Sequence, residues 1–392
     1  MLMRKLLPLA GSIAVIGANS LALSPIAGTV ARSFVGVDAP GVMNAAILYG
    51  LATAASALAL APAIDRIGHR TALIHSLVAL TAALTLSAFA PNLLVFCLAQ
   101  ALAGLAAGCA LPAIYALSAL VAEKGRESET LGWVLTGWTV SLVLGVSLSA
   151  IVADFAHWRF VFAGLALAAG WLAAKVGRGP DLAFPAPSPV ALAGTNSPLT
   201  ALRVRGVAPA LLVVATYMTA FYGLYAYLGL HLTGVLHLST AAAGLAPAAY
   251  GIGFGVAAFA DRLLDRYGPN IAAPVAFVGL GLVYCALAAA SDHAAVLIFL
   301  CLAWGVANHI GLNLIVGRLT ALDAGRRGAI LGLYSAVTYL AVSAGAFFYR
   351  PWFEQFGFAG CALASACCIA PALALSLHGR QKSPSLTRRN GG

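Results

Sequence analysis

The sequence Asp65-Arg66-Ile67-Gly68 returns 200 residues later as Asp265-Arg266-Tyr267-Gly268. Each copy directly follows a long apolar segment. Further short matches keep the same separation: Gly125-Arg126, Leu131-Gly132 and Gly145 return as Gly325-Arg326, Leu331-Gly332 and Gly345. A constant offset over so many positions indicates that the chain consists of two repeats of one structural unit.

The composition around these repeats is typical of a membrane protein. Of the 392 residues, 61% are hydrophobic and 9% are charged, and the mean hydropathy is +0.94. Soluble domains are about half apolar and about a quarter charged. These values argue against a disordered chain, a soluble enzyme and a nucleic-acid-binding domain, despite the net charge of +10.

Apolar segments of the length that crosses a bilayer, about 20 residues, recur along the whole chain. We place them at 7–28, 42–62, 71–90, 93–119, 131–153, 159–176, 207–230, 240–260, 271–290, 294–317, 328–349 and 357–377. Between the sixth and the seventh, prolines accompany Gly, Ser and Asn, which is linker composition. The sequence therefore predicts an all-α polytopic membrane protein with 12 transmembrane helices.

Basic residues are distributed unevenly over the predicted loops. With the N-terminus in the cytoplasm, 19 of the 22 Lys and Arg residues fall on the cytoplasmic side, and only Arg32, Arg159 and Arg350 do not. This positive-inside bias places both termini in the cytoplasm. The apolar run at residues 6–27 imitates a signal peptide, but we interpret it as the first helix because its removal would leave an odd number.

These observations divide the chain into four regions. An N-terminal six-helix bundle covers residues 1–176, and a C-terminal six-helix bundle covers residues 207–378. A cytoplasmic linker at 177–206 joins them, and a cytoplasmic tail follows at 379–392. In transporters built from such parallel repeats, the substrate site lies near the membrane midplane between the two halves.

The first Asp-Arg motif resembles a known family pattern. Residues 58–71, Leu-Ala-Leu-Ala-Pro-Ala-Ile-Asp-Arg-Ile-Gly-His-Arg-Thr, resemble the loop between helices two and three of the major facilitator superfamily, roughly G-x-L-a-D-R-x-G-R-R/K. Asp65, Arg66, Gly68 and Arg70 match this pattern, and the leading glycine is absent. The resemblance implies the fold of that superfamily, with two pseudo-symmetric six-helix bundles, and an integral protein of the cell's inner membrane that acts as a monomer.

Two further stretches resemble one branch of this superfamily. Residues 144–149, Leu-Gly-Val-Ser-Leu-Ser, and residues 158–162, Trp-Arg-Phe-Val-Phe, are similar to the L-G-V-P-L-G and W-R-x-x-F motifs of its sugar-efflux and drug-efflux branch, which is arabinose efflux permease-like. In antiporters of the family the first motif ends with proline and glycine. Ser147 and Ser149 stand there instead, which leaves an antiporter-style kink in doubt.

The resemblance implies a gating motif in each half. In the family, the acidic residue of the first copy latches one half against the other in the outward-open state; an ordinary solvent-exposed loop is the alternative. The second copy lacks the trailing basic residue. The predicted gating residues are Asp65, Arg66, Gly68, Arg70, Asp265, Arg266 and Gly268.

Helix five carries small residues at every fourth position, namely Gly137, Ser141, Gly145 and Ser149. Such a stripe lets a neighbouring helix approach closely. Close packing without a gating role is the alternative interpretation of the same pattern.

Polar and aromatic residues mark a candidate cavity. In this superfamily helices one, four, seven and ten line it, and relatives often carry charged residues where Asn19 and Gln100 stand. Tyr334 and Tyr339 are weaker candidates, and Tyr227, near a helix end, fits an interfacial anchor. The predicted cavity residues are Asn19, Ser20, Gln100, Tyr115, Tyr222, Tyr225, Trp304, Asn308, His309 and Asn313.

His309 is the predicted proton-coupling residue, because its side chain titrates in the useful range and the acidic residues all lie in or beside predicted loops. A neutral histidine bonded to a neighbouring helix is the alternative. Asp38 and Asp154, at helix ends, are the next candidates for coupling. Buried titratable groups are what proton-coupled transporters usually contain.

The sequence thus predicts a secondary transporter, not an enzyme, that works by alternating access on a small neutral or zwitterionic molecule or a drug. Export is the expected direction, and proton coupling is left open. An uncoupled facilitator is the alternative within transport, and a non-transporting membrane receptor is a remote one. The seven cysteines form no zinc pattern and no nucleotide-binding loop is present, so we expect no cofactor or metal.

Overall fold

The computed structural model describes residues 2–60, 67–122, 127–178, 198–260, 268–323 and 326–381. These residues form long helices with short connections. The helices of the first half are α1 (Leu2–Ala31), α2 (Ala39–Ala59), α3 (His69–Ala88), α4 (Leu93–Val121), α5 (Glu127–Val140, Ser141–Val146 and Ser147–Phe155) and α6 (Trp158–Arg178).

The second half follows a 3₁₀ turn at Pro198–Arg203. Its helices are α7 (Val207–Val235), α8 (Thr240–Phe259), α9 (Pro269–Ala289), α10 (Ala294–Ala321), α11 (residues 327–356) and α12 (residues 358–381).

Gly357 separates the last two helices. Its φ of 61° and ψ of −163° break the helical path. The apolar stretch Ala329–Leu377 has 49 residues and would be about 74 Å long as one helix, more than twice the bilayer core of about 30 Å. The described residues contain 11 candidate spans, and this last one holds two helices. The predicted all-α fold with 12 membrane-spanning helices is confirmed.

The two halves repeat one another at their Asp-Arg motifs. Gly68 caps the N-terminus of α3 and Gly268 caps that of α9. Both have positive φ, 85° and 72°, a conformation that glycine adopts readily. The repeat in the sequence is therefore also a repeat of backbone conformation.

The closest helix packing in each half is repeated as well. A Cβ atom at Gly104 in α4 would clash with the backbone carbonyl of Tyr49 in α2. In the second half, Gly305 in α10 meets the carbonyl of Tyr250 in α8 in the same way. Such close backbone approach is the use that membrane helices make of small residues.

The small-residue stripe of α5 faces α1. Cβ atoms added at Gly137 and Gly145 would come closer to α1 than van der Waals contact allows. The hydroxyl groups of Ser141 and Ser149 donate hydrogen bonds to carbonyls of their own helix. A π-helical turn at Ser141–Val146 interrupts α5 at this contact. The stripe packs within the first half, and a gating role for it stays a prediction.

Among the described residues, three helix pairs make most of the contacts between the halves: α1 with α7, α2 with α11, and α5 with α8. We call the side on which Arg178 ends α6 and Val207 begins α7 the linker side. The far side is the opposite one, where Ala31 ends α1 and Thr240 begins α8.

Arg70 is the trailing basic residue of the first Asp-Arg motif. Its Nε and Nη2 atoms donate to the carbonyl of Val176 at 3.1 and 2.9 Å, and Nη2 also donates to that of Gly177. These carbonyls lie in the last turn of α6, where helices leave such groups unsatisfied. The remaining charged residues of the two predicted gating motifs lie outside the described residues, namely Asp65, Arg66, Asp265 and Arg266. The latch therefore stays a prediction.

Candidate substrate cavity between the two halves

A recess lies between the two halves. Helices α1 and α2 of the first half and α7 and α11 of the second line it. Its polar groups come from Ser20, Ser24, Tyr222 and Tyr225, and the remaining lining is apolar: Leu21, Leu23, Met43, Ala46, Ala226, Val342 and Ala346. The structure brings three predicted cavity residues together here, namely Ser20, Tyr222 and Tyr225.

Tyrosines continue from the recess toward the linker side. Tyr49 in α2 and Tyr339 in α11 stand about one turn beyond it, with ring centroids 6.2 Å apart. Tyr115, Tyr222 and Tyr334 are neighbours of one another. We call these five residues the tyrosine cluster. Because Tyr49 and Tyr115 belong to the first half and the others to the second, the cluster spans the boundary between the halves.

Exposure within this region increases toward the linker side. Tyr49 and Tyr225 are each 2% exposed, whereas Tyr115 and Tyr334, nearer the linker-side ends of their helices, are only partly buried. Tyr115 and Tyr334 lie near one another on opposite sides of the boundary, and both are partly exposed. We therefore interpret the linker side as the more open side of this region.

Within the part of the chain that the structure describes, four buried hydroxyl groups of this region have no hydrogen-bond partner: those of Ser20, Tyr49, Tyr225 and Tyr339. Each of these residues is at least nine-tenths buried. A buried polar group left unpaired costs about 1–3 kcal/mol, and folded proteins satisfy nearly all such groups. These hydroxyls are therefore unsatisfied in this conformation, and their role in binding stays a prediction.

Asn19 and Gln100 are engaged with each other in this conformation. Asn19 Nδ2 donates to Gln100 Oε1 at 3.1 Å, and Gln100 Nε2 donates to Ser87 Oγ at 3.1 Å. All three side chains are buried. The network joins α1, α3 and α4 within the first half, so the amides predicted to face substrate act here as a link between helices.

Trp304 and Asn308 lie in the core of the second half. Asn308 Nδ2 donates to the Tyr250 hydroxyl at 2.6 Å, and the Tyr217 hydroxyl donates to the Asn308 carbonyl at 2.7 Å. The Trp304 ring packs 5.0 Å from that of Tyr250 and 5.5 Å from that of Phe221. This aromatic core fastens α10 to α7 and α8.

His309 and Asn313 form the predicted pair on a neighbouring face of α10. Asn313 Nδ2 lies 3.1 Å from His309 Nε2. The ring of Phe254 packs edge-on against His309 at 4.7 Å. His309 is partly buried and Asn313 is exposed. Neither residue lines the recess, so their place on the transport path stays a prediction.

Ser24 joins α1 to α7 at the recess. Its hydroxyl donates to the carbonyl of Tyr225 at 2.5 Å and accepts from the amide of Gly229 at 3.2 Å. These two backbone groups are four residues apart, the spacing of α-helical partners, so the hydroxyl bridges them. A Cβ atom at Gly229 would clash with the Ser24 carbonyl. Just beyond, α7 forms a π-helical turn at His231–Val235.

Four more polar contacts join the halves: three on the far side, and one, between Ser343 and Ile47, at the depth of the recess. Arg350, which contacts Asp38 across the boundary, also forms an ion pair with Glu354 of its own helix at 2.7 Å. The contacts are Thr29 with the Thr240 hydroxyl at 3.2 Å, the Thr240 amide with Asp154 at 3.2 Å, Arg350 with Asp38 at 3.6 Å, and Ser343 with the Ile47 carbonyl at 2.8 Å.

The position of Tyr227 contradicts the prediction that it is an interfacial anchor. It is fully buried, its hydroxyl donates to the Ala346 carbonyl at 2.6 Å, and its ring stacks on Phe353 with centroids 4.9 Å apart. The prediction was wrong because a tyrosine near a helix end suits a helix–helix contact as well as a membrane interface.

Two residues of the site escaped sequence reasoning. Tyr49 had a usable signal, because Tyr250 follows it by 201 residues, close to the repeat offset. Ser24 had none, because a serine beside a proline within an apolar run gives no indication of which helix it contacts.

Comparison with known proteins places the chain in a family. Residues 9–346 match the model of the Major Facilitator Superfamily. The chain belongs to the major facilitator superfamily. This superfamily member is 26% identical over 384 residues to the uncharacterized MFS-type transporter YwfA of Bacillus subtilis, covering 95% of the chain and 91% of that protein. It is also 26% identical over 243 residues to YceJ of the same species, covering 61% of each.

Solved structures share the fold of this superfamily member. The crystal structure of a D-xylose–proton symporter superimposes with a TM-score of 0.77 and 15% identity, over 97% of this chain and 98% of that one. The human organic anion transporter MFSD10 (TETRAN) gives 0.68 and 16%, over 96% and 99%. The chain is thus an integral membrane protein of a transporter superfamily; the matches do not single out the efflux branch.

Proposed function

We propose that the protein is a secondary transporter that moves a small neutral or zwitterionic molecule, or a drug, by alternating access. The observation that carries this proposal is the asymmetry of the space between the halves. Among the described residues, which leave out parts of the linker-side loops, six polar contacts join the halves at the recess and on the far side, and two of them are made by Ser24. On the linker side of the recess, three members of the tyrosine cluster are partly exposed: Tyr115, Tyr222 and Tyr334.

The proposed direction is export across the inner membrane, with both termini and the linker in the cytoplasm. The bias of basic residues toward the linker side supports this orientation, and the motifs shared with the efflux branch support export. Substrate would then enter from the cytoplasm in the conformation seen here and leave through the far side.

Opening the far side requires loss of the six contacts. A typical hydrogen bond contributes about 1 kcal/mol net, and an exposed ion pair such as Asp38–Arg350 contributes about 0–1 kcal/mol. The closed far side is therefore stabilised by a few kcal/mol, which contacts in the opposite state can offset. A difference of this size is what a reversible two-state switch needs.

An uncoupled facilitator is the second candidate. It is favoured by the neutral Asn19–Gln100 pair, at positions where relatives often carry charged residues. Proton coupling through His309 is the competing proposal, and a non-transporting receptor is the remote one.

Accessibility of the recess from the two faces of the membrane tests the transporter proposal. Ala46 lines the recess and is 5% exposed. Ala46→Cys would be introduced after replacing the exposed Cys285 and Cys367 with serine. The protein would be reconstituted in vesicles of known orientation and treated with a membrane-impermeant maleimide from either face.

An alternating-access transporter should be labelled at Ala46→Cys from both faces. Labelling from one face only would favour a static receptor and contradict the proposal. Ala83→Cys is the matched control. Ala83 is 2% exposed and lies on the buried face of α3, away from the recess, so this cysteine should remain unlabelled from both faces.

A further inference from the structure

The recess and the tyrosine cluster present a particular set of unused groups. Ser20 and Tyr225 line the recess, and their buried hydroxyls have no partner among the described residues. Tyr49 and Tyr339 add two more such hydroxyls on the path to the linker side. They come from α1, α2, α7 and α11, two helices of each half. A molecule that reached all four would contact both halves at once.

The carboxamide groups nearest to this space are largely occupied. Asn19 and Gln100 bond to each other and to Ser87, and Asn308 donates to Tyr250. To bind two neighbouring hydroxyls of a polyol at once, a side chain needs both a donor and an acceptor that are not already bonded, as in a carboxamide. The four unpaired hydroxyls are isolated single groups, and three of them belong to tyrosine rings.

Aromatic surface is what the path offers most. Tyr115, Tyr222 and Tyr334 are partly exposed in the space between the halves. Phe221 packs against Tyr222 at 4.8 Å and against Tyr225 at 5.6 Å, so these two rings have a firm backing. Aromatic rings prefer offset-stacked or edge-to-face contact with another ring.

Charge is lacking on this surface. Every residue that lines the recess is uncharged, and so is every member of the tyrosine cluster at neutral pH. A charged substrate would lose its hydration here without gaining a partner of opposite sign.

We infer that the substrate is an uncharged molecule with a planar aromatic ring and hydrogen-bonding groups at its edge. The ring packs on the partly exposed Tyr222, and an edge group reaches into the small recess lined by Ser20 and Tyr225. This inference rests on the proposed transport function and narrows it. The ring of the substrate packs against tyrosine faces, and its edge groups satisfy the buried hydroxyls.

Binding to purified protein in lipid nanodiscs tests the inference. The probes are adenine and nicotinamide as uncharged aromatic molecules, xylitol as a polyol, phenylalanine as a zwitterion and tetraphenylphosphonium as an aromatic cation. Saturable binding and a raised Tm are expected for the uncharged aromatic probes. Binding confined to xylitol, phenylalanine or the cation, or no binding by either uncharged aromatic probe, would overturn the assignment.

Ring and hydroxyl contributions are separated by substitution. Tyr222→Leu should weaken binding of the aromatic probe about tenfold or more, because it removes the stacking ring. Tyr222→Phe keeps the ring and should change Kd by less than about threefold. Tyr225→Phe should weaken binding about tenfold, because it removes one hydrogen-bonding hydroxyl.

The control is Trp171→Leu, which removes an aromatic ring that is 61% exposed on α6 and should leave binding unchanged. Equal loss in Trp171→Leu and Tyr222→Leu would contradict a site at Tyr222. Labelling of Ala46→Cys from both faces needs no ligand. It therefore tests the proposed transport function separately from the inferred substrate class.

Discussion

Ser24 is the residue at which the cavity and the closure between the halves meet. Its hydroxyl holds the backbone of Tyr225, a cavity residue, and that of Gly229 at the crossing of α1 and α7. Ser24→Ala removes two hydrogen bonds that exist only while the far side is closed. We expect labelling of Ala46→Cys from the far face to become about fivefold to thirtyfold faster, corresponding to about 1–2 kcal/mol.

The matched control for this prediction is Ser12→Ala. Ser12 is buried in the same helix, but its hydroxyl bonds to the carbonyl of Pro8 in that helix. Its removal should leave the labelling rate unchanged. Faster labelling in both variants would mean that α1 is merely loosened, and no change in Ser24→Ala would remove Ser24 from the closure.

The Asn19–Gln100–Ser87 network is expected to stabilise the first half. Gln100→Leu leaves the buried Asn19 amide without its partner, whereas the Ser87 hydroxyl still donates to the Ala83 carbonyl. The substitution should lower the free energy of unfolding by about 1–3 kcal/mol. The double variant Asn19→Leu with Gln100→Leu should recover part of this loss, since removing both polar partners costs less than removing one. Unfolding in detergent, followed by tryptophan fluorescence, measures both; a double variant less stable than the single one would contradict the account.

Single residues were the hardest part to predict from the sequence. Ser20, Tyr222 and Tyr225 were identified as cavity residues because polar groups in a membrane tend to face a cavity. The same rule predicts that Asn19 and Gln100 contact substrate, although in the structure their side chains form hydrogen bonds with each other. Which polar group finds a partner depends on the packing of helices that are distant in sequence.

At the scale of helices, close packing of α4 on α2 should depend on Gly104. Gly104→Ala places a Cβ against the Tyr49 carbonyl, a rigid backbone atom, and should lower Tm by several degrees. Gly279→Ala is the matched control, since nothing lies within 4 Å of a Cβ at this position of α9. It should leave Tm unchanged or raise it, because alanine favours helices. Equal effects of the two substitutions would contradict the packing argument.

The helices themselves were largely predictable. Apolar length and the offset of 200 residues identify all the membrane-spanning segments, because the bilayer imposes one length and one backbone solution. The π-helical turns in α5 and α7 were not predictable. They arise where one helix must adjust to a neighbour, and local sequence does not carry that information.

At the scale of the whole molecule, coupling to protons is expected to depend on His309. If transport is proton-driven, His309→Gln should retain exchange of the probe identified by binding, since exchange needs only alternating access. It should abolish accumulation driven by a pH gradient in proteoliposomes. Accumulation that survives in His309→Gln would move the coupling site elsewhere, with Asp38 and Asp154 as the next candidates. A wild-type protein that ignores the gradient would establish the facilitator.

Which side is closed could not be read from the sequence. Both states of an alternating-access transporter satisfy the same hydropathy, repeats and charge bias. Only contacts between the halves, such as Asp154 with Thr240, distinguish them.

The most direct test of alternating access is a reversible disulfide cross-link, here called the staple, between the two halves on the far side. The hydroxyls of Thr29 and Thr240 lie 3.2 Å apart on opposite halves, so Thr29→Cys with Thr240→Cys should form a disulfide with little strain. The control pair is Thr81→Cys with Gly170→Cys, in α3 and α6 of the same half, where a Cβ at position 170 lies 3.5 Å from Thr81. The measurement is the rate at which Ala46→Cys is labelled from the far face, before and after oxidation. The account predicts that the staple between the halves stops this labelling, that reductant restores it, and that the control pair has no effect. Labelling that continues at its original rate with the staple closed would contradict it.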